Sequence, residues 1–264
     1  MSVDELNSAR DRALTATGEE LSGLLHHPSA DVLLSLLDNS ALDEAQICLL
    51  LGRRDLPGEV IEEIARRKQF LKNYRVKKAL VYHHRTPRLV ALRLLRELYL
   101  MDLVQLTFIP EVSAELKLKA EEQVMGRLPQ LPLGQKITLA RRGPARVAGS
   151  LLAEGHARII SIALDNANLT EAQILKVLAK EKLPPQVVLE ITQHRKWSHL
   201  YNVRLALVRN SFAPLSAILA YLPELTVSDL KELVSPGIVP ENLRNYLQAE
   251  VQRRIRAGEK REPR

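Results

Sequence analysis

The sequence predicts an all-α fold, a right-handed α-solenoid of helical repeats written as a tandem duplication, with one copy over 1–127 and the other from 128 on. Three observations predict it. First, laying residue 128 over residue 1 brings Leu164-Asp165-Asn166 onto Leu37-Asp38-Asn39, Glu171-Ala172-Gln173-Ile174 onto Glu44-Ala45-Gln46-Ile47, and Leu183-Pro184 onto Leu56-Pro57. The register runs on through Tyr74/Tyr201, Ala79-Leu80-Val81/Ala206-Leu207-Val208, Pro87/Pro214, Asp102-Leu103/Asp229-Leu230 and Leu116/Leu243, with no gap from about residue 24 to residue 128. Second, the apolar residues recur at a period near 3.6 throughout, and no alternating run marks a strand pair. Third, only 4% of residues are aromatic against 46% hydrophobic, a Leu, Ile, Val and Ala core suited to short helices at close range. A register kept this long without insertion is the signature of stacked copies that dock on one another in one geometry.

The elements follow in order. The first half, 1–127, opens acidic and turns basic, the second half spans 128–255, and residues 256–264 are expected to be a disordered basic tail, since Ala257 is its one apolar side chain. Leu56-Pro57 opens a helix with Val60, Ile61 and Ile64 inward. Pro87 sits in the first turn of the next, where a missing N–H costs nothing, and Val90, Ala91, Leu94, Leu95 and Leu98 form its buried stripe. Asp102 favours the start of the helix carrying Leu103, Val104 and Leu106. The Asp38-Asn39 and Asp165-Asn166 pairs are expected to end one helix and turn into another. Thr170 and Gln173 fit a capping box. A weaker similarity relates the Pro87 helix to Pro144-x-x-Val147-Ala148-x-x-Leu151-Leu152 and divides the halves into units of roughly 8–70, 71–127, 135–197 and 198–255.

The Pro87-x-x-Val90-Ala91-x-x-Leu94-Leu95 and Pro144 patterns, with the Leu-Pro helix starts, resemble the HEAT/armadillo class of α-solenoids and the related leucine-rich-repeat-variant solenoids of bacteria. The resemblance covers nearly the whole chain. It implies a binding or scaffolding protein and supplies no catalytic residue.

Enzyme chemistry finds no foothold in the motifs. There is no Gly-x-Ser-x-Gly, no Gly-x-x-x-x-Gly-Lys loop and no His-Glu-x-x-His. Cys48 is the one cysteine and lies in an apolar run that reads as core. His26-His27 and His83-His84 are adjacent pairs that cannot share a helix face, and they read as C-terminal dipole partners. No catalytic residue, metal or cofactor is therefore expected. The acidic amino terminus and the lack of a long apolar run predict a cytoplasmic protein with no membrane segment.

Charge is the one functional signal. Net charge is +7, but residues 1–127 carry 18 bases against 19 acids while residues 128–254 carry 16 against 10. Within the first half, Arg75, Lys77, Lys78, Arg85, Arg88, Arg93 and Arg96 crowd one stretch. Several of their counterparts in the second half are neutral, so the shared backbone does not demand them. Arg141, Arg142 and Arg146 form a second group. These ten residues are expected to bind an acidic protein partner, with nucleic acid as the alternative, and replacing Arg85, Arg88, Arg93 and Arg96 is expected to leave stability nearly unchanged. The nearly uncharged segment 215–222 offers a second surface, expected to be either central to the stack or exposed to a partner such as a second copy.

Overall fold

The computed structural model describes residues 3–235, 237–239 and 241–259. Among the described residues all regular structure is helical. The chain divides into two compact units after Arg127. The first contains α1 (Val3–Thr15), α2 (Gly18–Leu24), α3 (Ala30–Leu36), α4 (Glu44–Leu51), α5 (Gly58–Arg66), α6 (Lys68–Leu71), α7 (Tyr74–Tyr82), α8 (Arg88–Leu95), α9 (Leu100–Leu106) and α10 (Ala114–Arg127). The second contains α11 (Leu133–Arg142), α12 (Ala145–Ala153), α13 (Ala157–Leu164), α14 (Glu171–Leu178), α15 (Pro185–Gln193), α16 (Tyr201–Val208), α17 (Leu215–Tyr221), α18 (Val227–Leu233) and α19 (Glu241–Glu259). The last helix takes in residues 256–259 of the expected tail, and 260–264 lie outside the described residues.

Prolines start many of these helices, one position earlier than the sequence suggests. Pro57, Pro87, Pro144, Pro184 and Pro214 are N-caps, with φ between −54° and −64° and extended ψ. The ring fixes φ at a value that serves the N-cap as well as the first turn, and an N–H is not needed at either. At some of the other helix starts a side chain does the capping. Asp43 and Gln46 form a complete box, each side chain taking the other residue's backbone N–H at 2.8 Å. Thr170 makes half of one, accepting from the Gln173 N–H at 3.4 Å.

Inside each unit, helices pack on near neighbours in sequence. α1 lies on α3 and α3 on α5, while α4 lies on α7, α7 on α8, and α8 and α9 on α10. In the second unit α11, α12 and α13 pack together, α12 supports α14, α14 supports α16, and α13 supports α15. Between them run the fully buried Val32, Leu33, Leu36, Ile47, Leu50, Ile61, Ile64 and Leu80 of the first unit and Ile159, Ile174, Val187, Val188, Val203 and Leu207 of the second. At roughly 1.5–3 kcal/mol per fully buried aliphatic side chain, this layer dominates what offsets chain entropy.

Polar ties recur in the register that relates the two halves. Asn39 Nδ2 donates to the carbonyls of Ala13 and Ala16 at 2.9 and 2.8 Å, and Asn166 Nδ2 to those of Ala140 and Gly143 at 2.8 and 3.1 Å. The Tyr74 hydroxyl donates to Asp102 and accepts from the Tyr99 N–H; the Tyr201 hydroxyl does the same with Asp229 and the Thr226 N–H. Arg127 and Arg254 each reach back about one helix pair to carbonyls, Arg127 to that of Leu98 at 3.0 Å and Arg254 to that of Leu225 at 2.5 Å. The Asp-Asn pairs thus do more than turn the chain. The asparagine is buried and fills the orphan carbonyls at the end of an earlier helix, where no intrahelical N–H is left to serve them. Asp102, read from sequence as a helix-start charge, bridges α7 and α9 through Tyr74 and Lys78. Burial and then this hydrogen bond push the Tyr74 hydroxyl up to about 12.

Candidate functional site

The ten sequence-predicted basic residues meet different fates. Lys77 pairs with Glu97 at 2.5 Å and Lys78 with Asp102 at 2.7 Å, and both are half-buried. Arg75 approaches Glu44 at 4.0 Å. Arg88 pairs with Glu115 at 2.5 Å. Arg85, whose role was expected to be free of the fold, donates to the carbonyls of Asp55 and Leu56 at 3.3 and 3.1 Å, at the turn that leads into α5. Removing it therefore touches structure, so the expectation of nearly unchanged stability is corrected at Arg85, whereas Arg88 stands in an exposed ion pair of the kind that adds about 0–1 kcal/mol to folding. Among the described residues, the side chains of Arg93, Arg96, Arg141 and Arg142 make no ion pair or hydrogen bond and are exposed. Arg146 is half-buried and is not free.

What remains is concentrated on α8. Its helical turn places Ala91, Leu94 and Leu95 inward and Leu89, Arg93 and Arg96 outward, with Arg88 and Leu92 between the two sets. Leu89 is 80% exposed, the most exposed of the large apolar side chains among the described residues. An apolar side chain so fully in water, flanked by unpaired guanidinium groups, is an unusual expense for a fold to carry. The equivalent positions in the second half hold Ser216, Ala220 and Pro223. Beside this face, between α8 and the start of α10, lies a cleft of about 270 Å³. Val81, Ala91, Val112 and Leu116 make its apolar floor, and Arg88 and Glu115 close its rim with their ion pair.

The uncharged segment in the second unit is neither covered all round nor bare all round. α17 buries Ile218 and Tyr221 and exposes Leu215 and Leu219, which four residues apart share one face, and Phe212 is exposed in the turn before it. The Tyr221 hydroxyl donates to the Thr192 carbonyl at 3.2 Å, and its ring lies 5.4 Å from the Arg204 guanidinium. Arg204 is itself buried, bonded to Glu224, to the Ser198 carbonyl and to His199.

Histidines prove to be turn formers. The Nδ1 atoms of His27, His83, His156 and His194 each accept the backbone N–H two residues ahead, at 3.1–3.3 Å. At His27 and His83, members of the two tandem pairs, the ring thus serves a turn N–H, a role the dipole-partner reading did not include. His83 also reaches the Arg53 carbonyl through Nε2 at 2.9 Å, which assigns the proton to that nitrogen. Burial lowers its pKa, the Arg53 carbonyl pulls it back, and His84 and Arg85 beside it lower it further. A histidine with a depressed folded-state pKa keeps its full contribution to stability above the unfolded value of about 6.5 and loses it as pH falls from there through the folded-state value. The expected result is that the first unit weakens as pH drops below about 6.5 and that His83→Asn flattens this slope. Asn210, at the equivalent position, makes the same turn bond from the Phe212 N–H and donates at 3.5 Å to the Leu178 carbonyl, two residues before the counterpart of Arg53. Denaturant melts of both proteins at several pH values check it; equal slopes would count against it.

Cys48, expected in the core, is half-buried, and burial followed by Glu44 raises its thiol pKa. Trp197 is buried and donates to the Leu164 carbonyl at 2.8 Å. Among the described residues no group of three His, Cys, Asp or Glu side chains is placed to hold a metal ion, and no helix is long and apolar enough to cross a membrane. Comparison with protein-family models, with curated proteins and with solved structures finds no match to this chain.

Proposed function

We propose that this chain is a non-catalytic α-solenoid of duplicated HEAT/armadillo-like units whose outer α8 face binds an acidic protein segment. The recurrence of the asparagine, tyrosine and arginine ties at equivalent positions of the two halves supports the duplicated architecture. The observation that carries the functional reading is the trio Leu89, Arg93 and Arg96, exposed, unpaired among the described residues and absent from the equivalent helix. Nothing in the packing of α8 uses these side chains, so their chemistry is available to a partner. Guanidinium groups match carboxylates in pairs, and an exposed leucine between them adds area that water alone makes unfavourable.

Fluorescent poly-glutamate and oligonucleotide probes, each titrated over a range of salt, test this. Poly-glutamate is expected to bind, and the double variant Arg93→Ser, Arg96→Ser to weaken it by about tenfold with an unmoved melting midpoint, because exposed unpaired charges contribute about 0–1 kcal/mol to folding. Tighter binding of the oligonucleotide, with a steep loss as salt rises, would transfer the site to nucleic acid. No binding of either probe would overturn the reading.

A further inference from the structure

The cleft between α8 and α10 is small for a metabolite and well shaped for a side chain. Its volume of about 270 Å³ lies just under the range of about 300–1,000 Å³ in which small-molecule sites fall. Its floor is aliphatic, and its opening lies next to the outward face of α8. Around the helix, Arg88 and Leu92 border the opening, and Arg96 stands one turn beyond Leu92 on the same side. His83, His84, Thr86 and Ser113 also line it, and an aliphatic floor under such walls, beside unpaired positive charge, selects a partner with the complementary pattern.

We infer that this cleft is the anchor pocket for an acidic segment carrying one aliphatic or aromatic side chain. The anchor enters over Ala91 and Leu116, and flanking carboxylates meet Arg96, Arg93 and Arg88. This rests on the acidic-partner reading above and adds to it the place and the side chain. It also gives the Arg88–Glu115 pair a second role. Both partners are exposed, with 71% and 43% of their side-chain surface in water, so the pair holds the rim weakly. Glu115 is the carboxylate that an incoming acidic residue replaces on Arg88. In the bound state it is a like charge at the rim and opposes the ligand.

Two acidic nonapeptides distinguish the outcomes, each with four glutamates on either side of a central residue, leucine in one and glycine in the other. The leucine peptide is expected to bind about tenfold more tightly, an amount consistent with partial burial of one leucine side chain. Ala91→Leu, which fills the floor, is expected to reduce the leucine peptide to the level of the glycine peptide. Glu115→Gln lies on the surface, away from the risk of misfolding that a core change carries, and is expected to tighten both peptides several-fold. Equal affinity of the two peptides, with both lost in Arg93→Ser, Arg96→Ser, would overturn the anchor pocket and leave the acidic-partner reading standing. Failure of both peptides to bind would overturn both. Unchanged or weaker binding in Glu115→Gln would overturn the exchange on Arg88.

Discussion

Replacing Asn39 with alanine is expected to destabilise the first unit by about 3 kcal/mol, and Asn166→Ala to destabilise the second by about 2 kcal/mol. Each asparagine is buried and makes three bonds. Two go from Nδ2 to carbonyls at the end of an earlier helix, and one comes to Oδ1 from the N–H two residues ahead, Ala41 or Asn168, at 2.8 and 2.7 Å. A made hydrogen bond is worth about 1 kcal/mol net, but a buried carbonyl stranded without a donor costs about 1–3 kcal/mol, so the damage lies in what is left behind. The two sites differ in one respect. The Gly143 carbonyl keeps a second donor, Asn168 Nδ2 at 3.3 Å, whereas no other donor to the Ala16 carbonyl is found among the described residues. Urea denaturation of each variant measures the difference, and a loss below about 1 kcal/mol in Asn39→Ala would show that water enters and serves the carbonyls instead.

Gly155→Ala is expected to cost as much by a different route. The residue has φ of +73°, and an added Cβ would stand 2.5 Å from Pro184 Cγ and 2.8 Å from Pro184 Cβ. A left-handed backbone costs a side-chain-bearing residue about 1–2 kcal/mol, and the overlap with a rigid proline ring adds about 1–3 kcal/mol more. A loss near 3 kcal/mol follows. Gly18 supplies the control: its φ is +58°, but nothing lies within 4 Å of where its Cβ would go. Gly18→Ala should therefore show the backbone part alone, about 1 kcal/mol. Thermal melts of the two variants side by side check the difference, and equal effects would mean that Pro184 gives way.

Helices were legible because their cause is local. An apolar period of 3.6 residues and a proline that cannot continue a helix upstream are both properties of short windows. The prolines sit one residue earlier than expected, and the last helix runs on into the expected tail as far as Glu259. Asn39 is instructive in the other direction. The register between the halves marked it as a fold residue, yet its partners lie 23 and 26 residues earlier on another helix, and no local pattern names a carbonyl. The same distance hid the fate of the basic stretch. Lys77, Lys78 and Arg88 find acids 20 to 27 residues away, so a count of charges along the chain overstated what reaches solvent unpaired. Arg93 and Arg96 survived, and the contrast with Ala220 and Pro223 had singled them out. The cleft had no signal at all, because its floor is made of ordinary core residues from α7, α8 and the approach to α10 that meet only in three dimensions.

The ties between helices share a length. Asn39 to Ala13, Tyr74 to Asp102, Arg127 to Leu98, Trp197 to Leu164 and Arg254 to Leu225 join residues 26 to 33 apart. Closing a loop of that size costs little entropy, and the cost does not grow as the chain lengthens. Each helix can therefore find its partners soon after it leaves the ribosome, without waiting for a distant segment. Such a chain has low contact order and is expected to fold fast for its 264 residues. Its opening under stress should be graded as well, with helices at an edge of a unit exchanging their amide protons before those in the middle.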